Sequence, residues 1–75
     1  MQSTSYKPEF SLSPRERAIA QLVAQGLPNK CIAKHLNISH WTVATYVRRI
    51  FTKLGVCSRT AMVALLMKEN LLWDR

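Results

Sequence analysis

The stretch "SHWTVATYVRRIF", residues 39–51, decides how this chain folds. Ser39 is a helix-capping type, and Val43, Val47, Ile50 and Phe51 then recur at i, i+4, i+7 and i+8, continued by Leu54. That period predicts a helix over 40–53 with one apolar face and Gly55 as its stop. The remaining positions, Trp41, Ala44, Thr45, Arg48 and Thr52, share the opposite face. Mere solvation of a helix face does not call for a tryptophan, an alanine and two threonines beside an arginine, so this face is read as meeting a partner.

Outward from this helix, "LNIS" (36–39) reads as a tight turn in which Asn37 tolerates positive φ. Before it, "KCIAKHL" (30–36) is a short helix with Asn29 as its expected cap and Ile32, Ala33 and Leu36 as its inner face. Earlier still, "SPRE" (13–16) is a helix start: Ser13 as N-cap, Pro14 at the first position, Glu16 three after the cap. Ala18, Ile19, Leu22 and Val23 carry that helix to about residue 25, where Gly26 suits a left-handed cap.

On the other side, a last helix opens at Ser58 and runs to about Glu69, with little polar surface among Ala61 to Met67. Leu71, Leu72 and Trp73 extend the apolar run. A chain of 75 residues has little room to bury both sides of such a helix, so one side is expected to face a partner. The expected fold is all-α, a four-helix, bundle-like helix-turn-helix domain over 13–75 behind a flexible arm or linker at 1–12.

Short helix, tight turn and longer helix form the helix-turn-helix spacing, with Ala33 small enough for a close crossing and Ile32 and Val43 in the angle. Charge sharpens the reading. The net charge is +7, and no acidic residue lies between Glu16 and Glu69, whereas Arg17, Lys30, Lys34, Arg48, Arg49, Lys53, Arg59 and Lys68 do. Ordinary soluble surfaces intersperse the two signs, so an anionic partner is implied. An α-helix fits the DNA major groove, and small side chains allow close approach. Thr45 can hydrogen-bond a base edge or offer its methyl to thymine, Ala44 makes only apolar contact, and Arg48 reaches guanine or a phosphate.

Other function classes find little support. There is no carboxylate pair, no phosphate-binding loop and no argument for a pocket, which excludes an enzyme. Cys31 and His35 lie four apart, but with Cys57 and His40 they match no standard four-ligand pattern, so neither a metal nor another cofactor is expected. Two cysteines and the lack of a membrane span or signal peptide point to a reduced, cytoplasmic setting.

The pieces "LSPRERAIAQLVAQGLPNKCIAKHLNIS", "TV" at 42–43, "KLGV" at 53–56 and "SRTA" at 58–61 resemble the LuxR-type (NarL/FixJ-type) helix-turn-helix domains of bacterial transcription regulators. The resemblance spans about residues 12–70. It implies a sequence-specific, double-stranded DNA-binding domain that regulates transcription, with its third helix in the major groove. Ala44, Thr45 and Arg48 would then read bases, and Lys30, Ser39, Thr42, Arg49, Lys53 and Arg59 would hold phosphates. Trp41 is added to the latter set as a platform stacking on sugar-phosphate. Positions 41 and 44 are often basic in the family and 46 most often histidine; here they are Trp41, Ala44 and Tyr46.

The resemblance also implies a homodimer through the last helix, for which Met62, Leu65 and Leu66 are the expected interface, and RNA polymerase as a further candidate partner. Family members usually carry this domain after a receiver or autoinducer-binding domain, and docking onto such a domain is a second reading of the apolar helix. A sigma-like domain is a rival within DNA binding. Outside it, the rival is a protein-interaction module that resembles the family but heterodimerises without binding DNA.

Overall fold

The computed structural model describes residues 12–68, and among them the chain forms four helices and no strand. The helices are α1 (Pro14–Ala24), α2 (Asn29–Leu36), α3 (His40–Leu54) and α4 (Arg59–Lys68). The all-α expectation holds, and the described element ends differ from it by only a residue or so; the helix end expected at Glu69 and the apolar residues Leu71, Leu72 and Trp73 lie outside the described residues.

Local chemistry starts and stops these helices. At the entry to α1, the Ser13 hydroxyl accepts from the Glu16 N–H at 3.1 Å and Glu16 Oε1 accepts from the Ser13 N–H at 2.9 Å. Pro14 fills the first position, where no N–H is needed. All three interhelix turns then use one device. Gly26, Asn37 and Gly55 take left-handed φ of 94°, 59° and 70°. The residue after each returns its N–H to the carbonyl five positions back: Leu27 to Leu22 at 3.2 Å, Ile38 to Ala33 at 3.0 Å and Val56 to Phe51 at 3.0 Å. Because Leu27, Ile38 and Val56 are apolar, each turn also packs on the core.

One expected cap is used differently. Pro28, not Asn29, precedes α2, without a side-chain cap bond. The Asn29 amide oxygen accepts from Arg59 Nη1 at 2.7 Å, while Arg59 Nη2 donates to the Leu27 carbonyl at 2.8 Å. A charge-assisted bond is about twice as strong as the neutral cap bond it displaces. The residue expected to start α2 locally therefore anchors α4 to it instead.

The core draws on every helix: Ile19, Ala20, Leu22 and Val23 of α1, Ile32 and Ala33 of α2, Val43, Val47, Ile50 and Leu54 of α3, and Met62 and Leu66 of α4. Leu12, expected in the arm, joins that core. Helix α3 packs against α1, α2 and α4, so it is held on several sides while its remaining face stays open.

Here the interface expectation for the last helix needs correcting. Met62 and Leu66 have no exposed surface at all. They are four apart and point into the domain; Leu65 and Val63 flank them half-buried. The outer face of α4 is Thr60, Ala61, Ala64, Met67 and Lys68, with Met67 52% exposed. The sequence offered apolar residues all around the helix, and packing placed Met62 and Leu66 in the core while leaving the equally bulky Leu65 half-buried and Met67 exposed.

Candidate nucleic-acid interface

Helix α3 sorts its residues as its period requires. Val43, Val47, Ile50 and Leu54 are buried, while Trp41, Arg48, Arg49 and Thr52 are exposed and Ala44 and Thr45 lie half-exposed between them. Trp41 is 80% exposed and is not part of the buried core. The Thr45 hydroxyl donates to the Trp41 carbonyl at 3.2 Å, and the Thr52 hydroxyl to the Arg48 carbonyl at 3.2 Å. These back-bonds occupy the hydroxyl protons and leave the oxygens able to accept. Thr45, Arg48, Arg49, Thr52 and Lys53 line a shallow depression on this face.

The start of α3 carries its own chemistry. The Ser39 hydroxyl accepts from the Thr42 N–H at 2.9 Å, and the two hydroxyls lie 2.8 Å apart. The first turn of α3 holds no acidic residue, so no side-chain charge there offsets the positive end of the helix dipole. Further along, the Arg49 guanidinium stands 5.6 Å from the centre of the half-buried Tyr46 ring. Lys30 is exposed in the first turn of α2.

Two of the expected phosphate contacts have work inside the domain. Arg59 is held by Asn29 and Leu27, as described above. Lys53 Nζ donates to Glu16 Oε1 at 2.8 Å, the same oxygen that receives the Ser13 N–H. Glu16 is 4% exposed in its side chain and Lys53 38%. A buried carboxylate needs its partners, so this bond ties the last turn of α3 to the first turn of α1. The capping role of Glu16 is legible in "SPRE"; its pairing with a lysine far along the chain is not, because nothing local announces it.

Burial pushes the Glu16 carboxyl up, but the hydrogen bonds from Lys53 and Ser13 and the lysine charge outweigh it and hold the group below its usual range. A depressed folded value means stability that is present above the unfolded carboxylate range and lost as pH falls through the folded value. Glu16→Gln is therefore expected to flatten the acid limb of a plot of urea midpoint against pH. At neutral pH it should cost about 1 kcal/mol, since Lys53 remains partly solvated. An unchanged acid limb would remove Glu16 as its source.

Elsewhere, Cys31 and Cys57 are free and exposed, and among the described residues no group of three or more His, Cys, Asp or Glu could hold a metal ion. No single helix among them is long and apolar enough to cross a membrane.

The likeness to known proteins agrees with this geometry. A family model described as "Bacterial regulatory proteins, luxR family" matches residues 10–66. The chain is 38% identical over 69 residues to the nitrate/nitrite response regulator NarL of Escherichia coli K12, covering 92% of this chain and 32% of that protein. It is 43% identical over 63 residues to the response regulator Rre1 of Synechocystis, covering 84% of this chain and 27% of the relative. A nitrate/nitrite response regulator homologue of Haemophilus influenzae is 41% identical over 63 residues, 84% of this chain and 30% of its own length. The chain thus spans only 6% to 32% of the length of the curated relatives it matches. With four helices among its described residues, its helix-turn-helix and a family match covering most of its length, the chain belongs to the LuxR family of bacterial regulatory proteins.

Proposed function

We propose that this domain binds double-stranded DNA sequence-specifically and regulates transcription, with α3 lying in the major groove. One observation carries the reading: the face of α3 turned away from the core is small, apolar and basic, and among the described residues no acid lies beyond Glu16. Ala44, Thr45 and Arg48 read base edges. Ser39 and Thr42 at the start of α3, Lys30 on α2 and Arg49 hold phosphates. The Glu16–Lys53 pair sets how α3 projects from the scaffold. A second copy joins through α4, on the face formed by Ala61, Ala64 and Met67 with Leu65 at its edge. Two-fold symmetry then places two copies of α3 about one DNA turn apart.

The test is selection of bound sequences from a random DNA pool by the 75-residue chain at two salt concentrations. Enrichment of paired half-sites is expected. Failure to bind at low salt would overturn the reading in favour of a protein-interaction module.

Salt dependence is a second check. Lys30, Arg49, Lys53 and Arg59 on phosphates would neutralise about eight charges per dimer, for a slope of log K against log salt near about −7. With Lys53 and Arg59 held internally, Lys30, Arg49 and a share of Arg48 remain, and the expected slope is about −4 to −5. A slope of about −7 would mean that both internal ties open on DNA.

A further inference from the structure

The outward face of α3 changes character halfway along. From Trp41 to Val47 it carries no charged side chain; from Arg48 to Lys53 it carries three, Arg48, Arg49 and Lys53. In the first half the groove-facing groups are the Trp41 indole, the Ala44 methyl and Thr45, whose hydroxyl proton is already committed to the Trp41 carbonyl at 3.2 Å. The outward groups of this half are mainly apolar carbon, and the indole N–H is the side-chain donor left to them.

Resting on the DNA-binding reading above, we propose that Trp41, Ala44 and Thr45 form an apolar corner that selects 5-methylpyrimidines, thymine in unmodified DNA, at one end of each half-site. This gives Trp41 a base-reading role in place of the sugar-phosphate stacking expected from sequence.

The chemistry of the groove leaves few alternatives. Guanine and adenine are read there through N7 with O6 or N6, by bidentate donors or amides, and this corner has neither. The thymine C5-methyl projects into the same groove and asks only for an apolar surface. Trp41 supplies one at little folding cost, since it is 80% exposed in the free domain. Burial of its large apolar area on binding makes it the dominant contact of the three. Arg48, one turn after Ala44 and Thr45, is left to read guanine on the basic side, so each half-site is expected to join a thymine block to a guanine.

Deoxyuridine tests this directly, because it removes the methyl and keeps base pairing and phosphates. In the site selected from the random pool, each thymine is replaced singly by deoxyuridine and titrated with the whole chain. At one or two thymines per half-site, loss of the methyl is expected to weaken binding about fourfold, which corresponds to about 0.8 kcal/mol for one buried methyl-sized group. Trp41→Ala should abolish the difference between thymine and uracil there. Trp41→Lys should also abolish it and steepen the salt slope by about one per protomer.

Tight binding of the unmodified site with no thymine sensitive to uracil would overturn the inference and leave the DNA-binding reading standing. So would a Trp41→Ala variant that keeps the full thymine-over-uracil preference. Absence of any selected site would overturn both.

Discussion

Met62→Ala and Leu66→Ala will each lower folding stability by about 2–5 kcal/mol, the range for truncating a large buried aliphatic side chain. Both side chains are fully buried and join α4 to the core formed by α1, α2 and α3. A domain of this size has about 5–15 kcal/mol in total, so either variant brings it near the edge of folding. Urea unfolding of the purified chain, followed by far-ultraviolet circular dichroism, measures the loss. The outer face of the same helix should behave in the opposite way. Ala64→Glu touches no buried group and is expected to change monomer stability by no more than about 0.5 kcal/mol. If two copies meet there, it raises their dissociation constant instead, visible by sedimentation at several concentrations. A Met62→Ala protein that is fully stable but dissociated would return Met62 and Leu66 to the interface.

Arg48→Ala is expected to weaken binding to the selected DNA site by about 1–3 kcal/mol, or about 5- to 160-fold, with a much smaller loss on random DNA. Arg48 is exposed at the middle of the outward face of α3, one turn beyond Ala44 and Thr45 and lining the same depression as Thr45. Removing a bidentate contact costs affinity only where the matching base is present, so specificity at one position should relax. Lys30→Ala is the matching control. Lys30 is exposed on α2, and its loss should weaken all sequences alike and reduce the salt slope by about one per protomer. Lys53→Ala is unsuited to that comparison, because it also leaves the buried Glu16 carboxylate without its cation. Competition titrations of both variants on selected and random duplexes decide the matter. Equal losses on both DNAs for both variants would sink the division between base reading and phosphate anchoring.

The helices, their order and the face of α3 that meets the core were all legible from residue order alone. The reason is that caps, left-handed turns and the 3.6-residue period are local: "SPRE", Gly26, Asn37, Ser39 and Gly55 act on neighbours within one turn of helix. The outward set Trp41, Ala44, Thr45 and Arg48 followed from the same period. Tertiary structure alone decided three things. It spent Asn29 on Arg59 instead of on a cap, because a guanidinium arriving from α4 makes the stronger bond. It committed Lys53 to the buried Glu16, a pairing between the last turn of α3 and the first turn of α1. It also turned Met62 and Leu66 inward and left Ala61, Ala64 and Met67 outside. In a helix apolar on every side the hydrophobic pattern points nowhere, and only the shape of the space left by the other three helices can say which side is filled.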